Sequence, residues 1–228
     1  MARPDHGFVV TLDGPAGSGK STTARAVAAR LGFVYLDTGA LYRALTVLAL
    51  DSGVSTSDGR ALGRLAEAAC LHIARNGTGQ RVFADSQDLT DRIRTPEVER
   101  DVSAVSAVKE VRDAMLHLQR SQRQLPGLVA EGRDLGTVVF PDADLKIYLV
   151  ADLAERARRR ALERRASGRD ASEEAEMTAM AARDAFDAGR AVAPLRPAAD
   201  SVEVDTTDLT IDEQVDRVVQ LFRDRFGA

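Results

Sequence analysis

The stretch Gly14-Pro15-Ala16-Gly17-Ser18-Gly19-Lys20-Ser21 constrains the fold of this chain more than any other segment. Its glycines let the backbone curl until successive N–H groups point at a common centre, and a following helix N-terminus adds to their pull on an anion. The flanks fit that geometry. Phe8-Val9-Val10-Thr11-Leu12 is a short apolar, β-branched run that stops at Asp13-Gly14-Pro15, as a buried parallel strand does. From Lys20 to Leu31, the residues Ala24, Val27, Ala28 and Leu31 recur at helical spacing, and Gly32 stands where a glycine ends a helix. Strand, glycine-rich turn and helix in that order make a phosphate-binding loop. Gly14, Pro15, Ala16, Gly17, Ser18, Gly19, Lys20, Ser21 and Thr22 are the candidate ATP-binding residues. Lys20 is expected to reach the β- and γ-phosphates, and the Ser21 hydroxyl to hold Mg2+.

Four further strands are expected, at Phe33–Leu36, Leu128–Ala130, Leu145–Val150 and Val202–Val204, separated by helical patterns. Strands alternating with helices predict an α/β fold, a five-stranded parallel sheet with helices on both faces. The roughly 90 residues between the second and third of these strands exceed what one crossover helix needs, so they must hold an insertion. Within it, Leu71–Ala74 and Arg81–Ala84 flank Asn76-Gly77-Thr78-Gly79, the pattern of an antiparallel hairpin. Helical stretches follow near Pro96–Ala107 and Val108–Gln124, and a second, strongly charged helical insertion runs from about Ala154 to Arg190.

Composition narrows the function. A net charge of −4 and an aromatic fraction of 4% without Trp argue against a nucleic-acid partner, which asks for basic excess and stacking platforms. Cys70 stands alone, which excludes an intramolecular disulfide and suits a reducing cytoplasm. Neither a signal-like apolar start nor a spanning apolar stretch is seen, so no membrane association is expected.

Other parts of the chain distinguish the kinds of protein that carry such a loop. A guanine-reading switch needs an (N/T)KxD segment, and none of Lys20, Lys109 and Lys146 supplies one. A motor ATPase wants a strand ending in two acids; Asp152 is the nearest candidate and has no acidic neighbour. Instead, arginines and carboxylates gather where strands end. Thr38 and Arg43 follow the second strand, where a second phosphate would face the loop, although Thr38 taken alone reads better as a helix N-cap. Glu131-Gly132-Arg133-Asp134 ends the third strand with charge that is costly to bury outside an active cleft. In the second insertion Arg156, Arg160 and Arg164 share a helical face, either as a solvated, salt-bridged surface or as a lid over phosphates. Arg183, Asp187 and Arg190 form one more stripe. A small-molecule kinase fits these features, and a nucleotide-holding regulatory protein is the alternative from a different class.

Taken together, Asp13–Thr22, Leu36–Arg43, Arg94–Val98, Gly132–Pro141 and Arg183 through Leu195 resemble the bacterial cytidylate kinases along essentially the whole chain. The resemblance implies a monomeric nucleoside monophosphate kinase that uses ATP and Mg2+ to phosphorylate CMP and dCMP. It implies a core of 1–40, 106–153 and 191–228, an NMP-binding insertion of about 41–105 holding the small antiparallel sheet, and a short helical lid of about 154–190. It places Thr38, Arg43 and Arg133 on the CMP phosphate, Ser103, Arg112 and Asp134 on cytosine, and Arg183 and Asp187 on the ribose with Arg190 nearby. Arg159 and Arg160 look like lid arginines that contact phosphate, and join Lys20, Arg43 and Arg133 as the expected catalytic set. Glu131 departs from the family, which often has Asp there. The chemistry agrees: cytosine offers an amino donor beside two acceptors, which a carboxylate and a guanidinium complement, whereas uracil would face Asp134 oxygen to oxygen.

Overall fold

The computed structural model describes residues 7–76 and 79–227. Five strands form one parallel sheet: β1 (Phe8–Asp13), β2 (Val34–Asp37), β6 (Gly127–Glu131), β7 (Leu145–Val150) and β8 (Val202–Asp205), in the order β2-β6-β1-β7-β8. Both faces of the central strands are covered, which is why they read as continuous apolar runs and not as alternations. Val10 pairs with Val129 on one side and with Leu145 on the other. Helices α1 (Lys20–Leu31) and α8 (Ile211–Phe226) pack on one face, burying Val27, Val215, Val218 and Phe222 against Val10, Leu12 and Ile147. On the opposite face Leu36, Leu128, Leu135 and Phe140 form a second cluster, with Leu116 packed against it.

The segment between β2 and β6 has a core of its own. It comprises α2 (Gly39–Asp51), α3 (Gly59–Ala68), an antiparallel sheet of β3 (Leu71–Asn76), β4 (Gly79–Ala84) and β5 (Gln87–Asp88), then α4 (Pro96–Ala107) and α5 (Lys109–Arg120). The expected hairpin is present, with the extra short strand β5; Gly77 and Thr78 of its turn lie outside the described residues, as do the first six residues. Leu41, Leu45, Leu62, Val82, Leu89 and Val105 are fully buried there, and Val111 and Met115 of α5 belong to the same cluster. Helix α5 therefore packs on the small core through Met115 and on the main sheet through Leu116.

After β7 the chain forms α6 (Leu153–Ala166) and α7 (Glu173–Ala188), an antiparallel pair separated at Gly168, whose φ of 76° suits glycine. No described helix is long and apolar enough to cross a membrane. The carboxyl ends of β1, β2 and β6, where a parallel sheet collects its ligands, face this helix pair and the loop before α1.

Candidate active site

The glycine loop is shaped by what surrounds it. A Cβ on Gly14 would lie 2.1 Å from the Leu149 carbonyl oxygen, so the chain leaves β1 pressed against β7 with no room for a side chain. Gly19, at φ 89°, opens α1 with its face against the buried Gln214, which accepts a hydrogen bond from Thr23 Oγ1 at 2.8 Å. Gln214 thus ties α8 to the first turn of α1. Lys20 Nζ folds over the loop and donates to the Pro15 carbonyl at 2.6 Å. Burial, then the neighbouring Arg133, brings its pKa down to about 7. Ser21 Oγ donates to Glu131 Oε2 at 2.8 Å, and Tyr35 donates to Glu131 Oε1 at 2.5 Å. Burial and the nearby Asp37 hold the Glu131 carboxyl above its ordinary range. Thr22 is exposed in the first turn of α1, and Ser18 is buried.

Facing the loop, the end of β2 organises a second group. Asp37 Oδ1 caps α2 by accepting from Ala40 N at 3.0 Å, and its Oδ2 lies 3.3 Å from Arg43 Nη1 and 3.2 Å from Arg94 Nη2. The neighbouring Thr38 holds the N-cap position but does not cap through its side chain: its hydroxyl donates to the Glu131 carbonyl at 2.7 Å, linking the end of β2 to β6. Arg133 reaches across, donating to the Gly14 carbonyl at 2.6 Å, with Nε 3.3 Å from Asp187 Oδ2. Its acid is therefore Asp187 of α7, not the sequence neighbours Glu131 and Asp134. Arg183 lies 4.0 Å from the same carboxylate, and burial together with Arg133, Arg43 and Arg160 lowers its pKa to about 10. Cations from the loop, α2, the β6 end, α6 and α7 thus crowd one volume, at an electrostatic cost that an anion would relieve.

Beside this volume lies a buried polar pocket. Arg112 of α5 pairs with Asp134, donates to the Ser106 carbonyl at 2.9 Å, and stands over the Tyr42 ring at 5.4 Å. Arg190 donates to Ser106 Oγ at 3.1 Å and pairs with Asp187. Ser103 is half-buried one turn earlier, and its carbonyl accepts from Ser106 Oγ at 3.2 Å. Asp134 is kept in place by Asp13, whose carboxylate accepts from Leu135 N at 2.9 Å and Gly136 N at 2.8 Å. Burial raises the Asp13 carboxyl to about 7 against the pull of those two N–H groups.

The predicted lid arginines divide. Arg160 Nη2 donates to Glu99 Oε1 at 2.6 Å, and Arg164 to Glu99 Oε2 at 3.0 Å, so α6 grips α4. Arg159 turns the other way, donating to Glu155 at 2.8 Å and to the Thr206 and Thr207 carbonyls at 2.5 and 3.0 Å. Sequence reasoning did not single out Asp13, Ser106 or Glu99 as partners in the site. Asp13, directly before the loop at a strand end, is the one of these with a local signal.

A glycine-built anion cradle facing a cationic pocket, at the carboxyl ends of a five-stranded parallel sheet, defines a P-loop kinase of small molecules. The chain belongs to the cytidylate kinase family, whose model matches residues 10–224. It is 46% identical over 95% of its length to a cytidylate kinase from Desulfitobacterium hafniense strain Y51, of which it covers 93%. It is 45% identical over 96% of its length to the cytidylate kinase of Shouchella clausii strain KSM-K16, covering 97% of that protein. An uncharacterized protein from Eubacterium ventriosum shares the fold at a TM-score of 0.52 and 10% identity, over 96% of this chain and 99% of the other.

Proposed function

We propose that this chain moves the γ-phosphoryl group of ATP onto CMP and dCMP, giving ADP and CDP or dCDP. The observation that carries the reading is the crowding of Lys20, Arg43, Arg133, Arg160 and Arg183 around one buried volume, where burial first and neighbouring cations second depress the pKa of both Lys20 and Arg183. The loop 14–22 binds the ATP phosphates through the main-chain N–H groups from Gly17 onward, with Gly14, Pro15 and Ala16 shaping the turn, and Lys20 leaves the Pro15 carbonyl to follow the phosphates. Arg43, Arg133 and Thr38 hold the CMP phosphate, with Arg133 placed between the loop and Asp187, where the migrating group would pass. Arg112, Asp134 and Ser103 read cytosine, and Arg183, Asp187 and Arg190 orient the sugar. Arg160 serves the phosphates after letting go of Glu99, and Arg159 after letting go of the Thr206 and Thr207 carbonyls. Phosphoryl transfer asks mainly for in-line placement and positive charge on the migrating group, so no covalent enzyme intermediate is invoked.

The oxygen set at Ser21 fits Mg2+: a hydroxyl with the Glu131 carboxylate at 2.8 Å and Asp37 within electrostatic reach is what a hard cation prefers. When bound, the cation would neutralise charge on the phosphate oxygens. The division into a core of 1–40, 106–153 and 191–228, an NMP-binding insertion of about 41–105 and a lid of about 154–190 belongs to the same reading. So do a monomeric state, a cytoplasmic location and the lack of a nucleic-acid or membrane partner, for which the acidic balance and lone cysteine speak.

Assaying the purified protein with ATP against CMP, dCMP, UMP, AMP and GMP tests this. CMP and dCMP should turn over with one ADP formed per diphosphate. Faster turnover of UMP or AMP overturns the substrate assignment.

A further inference from the structure

Two buried or half-buried charges have no part in the mechanism above, and both meet the phosphate loop at one residue. Asp184 Oδ1 of α7 accepts from the Ala16 N–H at 3.2 Å, and Arg156 Nη1 of α6 donates to the Ala16 carbonyl at 3.0 Å. The same Nη1 donates to Asp184 Oδ2 at 2.5 Å, and Arg156 Nε donates to the Ala151 carbonyl at 2.9 Å. The Arg156 side chain is only 9% exposed and that of Asp184 19%, so this is a screened pair in a fixed geometry. Gly17 adds to the fit: a Cβ there would lie 2.9 Å from Met180 Cε and 3.1 Å from Arg156 Cβ.

We infer that Arg156 and Asp184 form a clamp on both main-chain groups of Ala16 and set the shape of the triphosphate cradle from the root of the helix pair α6–α7. They are positioning residues for ATP that act through the loop. Arg156 differs in this from Arg160, one turn further along the same helix, because its Nε and Nη1 donate to main-chain carbonyls and to Asp184 whereas Arg160 donates to the carboxylates of Glu99 and Glu163. Through the clamp, any movement of α6 and α7 would reach the loop directly and not through the sheet. Main-chain hydrogen bonds that involve a charged partner are among the stronger ones, so losing one changes affinity for whatever the loop holds. The CMP pocket shares no hydrogen bond with the pair and is expected to be indifferent.

The inference rests on the reading of the loop as the ATP site, and the test separates the two. Steady-state kinetics and direct ATP and CMP binding are measured for the unmodified protein, Asp184→Asn, Arg156→Lys and the double variant. Each single change should raise KM and Kd for ATP about tenfold, with those for CMP changed less than about twofold. The double variant should be little worse than either single, since both act on one unit. ATP and CMP constants rising together, unchanged ATP constants, or fully additive effects overturn the clamp. Failure of the unmodified protein to bind ATP overturns the ATP reading itself. A readout independent of the variants is hydrogen exchange in the nucleotide-free protein: the Ala16 amide should be protected, and exchange at the rate of an open loop contradicts the clamp.

Discussion

The two halves of the cleft are built from opposite materials. The side proposed for ATP is main chain: one contiguous turn whose shape is set by glycines at 14, 17 and 19 and whose fit leaves 2.1 Å between a would-be Gly14 Cβ and Leu149 O. The side proposed for CMP is side-chain charge, drawn from α2, α5, the β6 end and α7, and balanced by Asp37, Asp134 and Asp187. A main-chain cradle depends on shape, whereas a charge network depends on every member being present. The first half should therefore fail when atoms are added and the second when charges are removed.

The largest departure is expected where the halves meet. Arg133→Ala should lower kcat about a thousandfold, because the guanidinium bridges Gly14 and Asp187 and supplies charge along the line of transfer. A loss below tenfold in steady-state assays removes Arg133 from the reaction path. Next is Gly14→Ala, which tests shape: backbone contact with Leu149 and a φ of 147° should destabilise the protein by about 3 kcal/mol or more in denaturant titration. Unchanged stability there would mean that the loop has slack.

Asp134→Asn tests charge with shape conserved. Leaving Arg112 buried without its partner should cost CMP about a hundredfold in kcat/KM while the relative rate with UMP rises, since an amide can donate to the uracil oxygen. Equal losses for CMP and UMP would assign Asp134 to structure alone.

The smallest expected signal is a proton. With its pKa near 7 in the nucleotide-free protein, Lys20 is largely neutral at pH 8, and triphosphate charge beside it restores the ammonium. ATP binding should take up close to one proton at pH 8, read by calorimetry in buffers of different ionisation enthalpy, and Lys20→Met should abolish the uptake. Unfolding carries the matching signs. The depressed Lys20 adds stability that is full above 10.5 and lost as pH falls through about 7, while the raised Asp13 adds stability that is full below 3.8 and lost as pH rises through about 7.

The same contrast governs what could be read in advance. The loop was legible because its determinants are contiguous, and the central strands because burial on both faces leaves unbroken apolar runs in the sequence, whereas the edge strand β8 alternates and buries only Val204. The grouping of residues proposed for CMP could be anticipated only through resemblance to a family, since nothing in local spacing brings Arg112 to Asp134 or Arg133 to Asp187. Thr38 shows the limit of a local rule: its position suggests a cap, but Asp37 caps the helix and Thr38 bonds to β6. The grip of Glu99 on Arg160 and Arg164 was invisible for the same reason, because 61 and 65 residues separate the partners.

Two anionic nucleotides are expected to meet end to end between these halves. A single molecule in which adenosine and cytidine are joined through a linear polyphosphate measures that directly. It should bind more tightly than ATP or CMP alone and be competitive against both substrates. Competition against only one of them, or affinity no better than that of the matching mononucleotide, would contradict the arrangement.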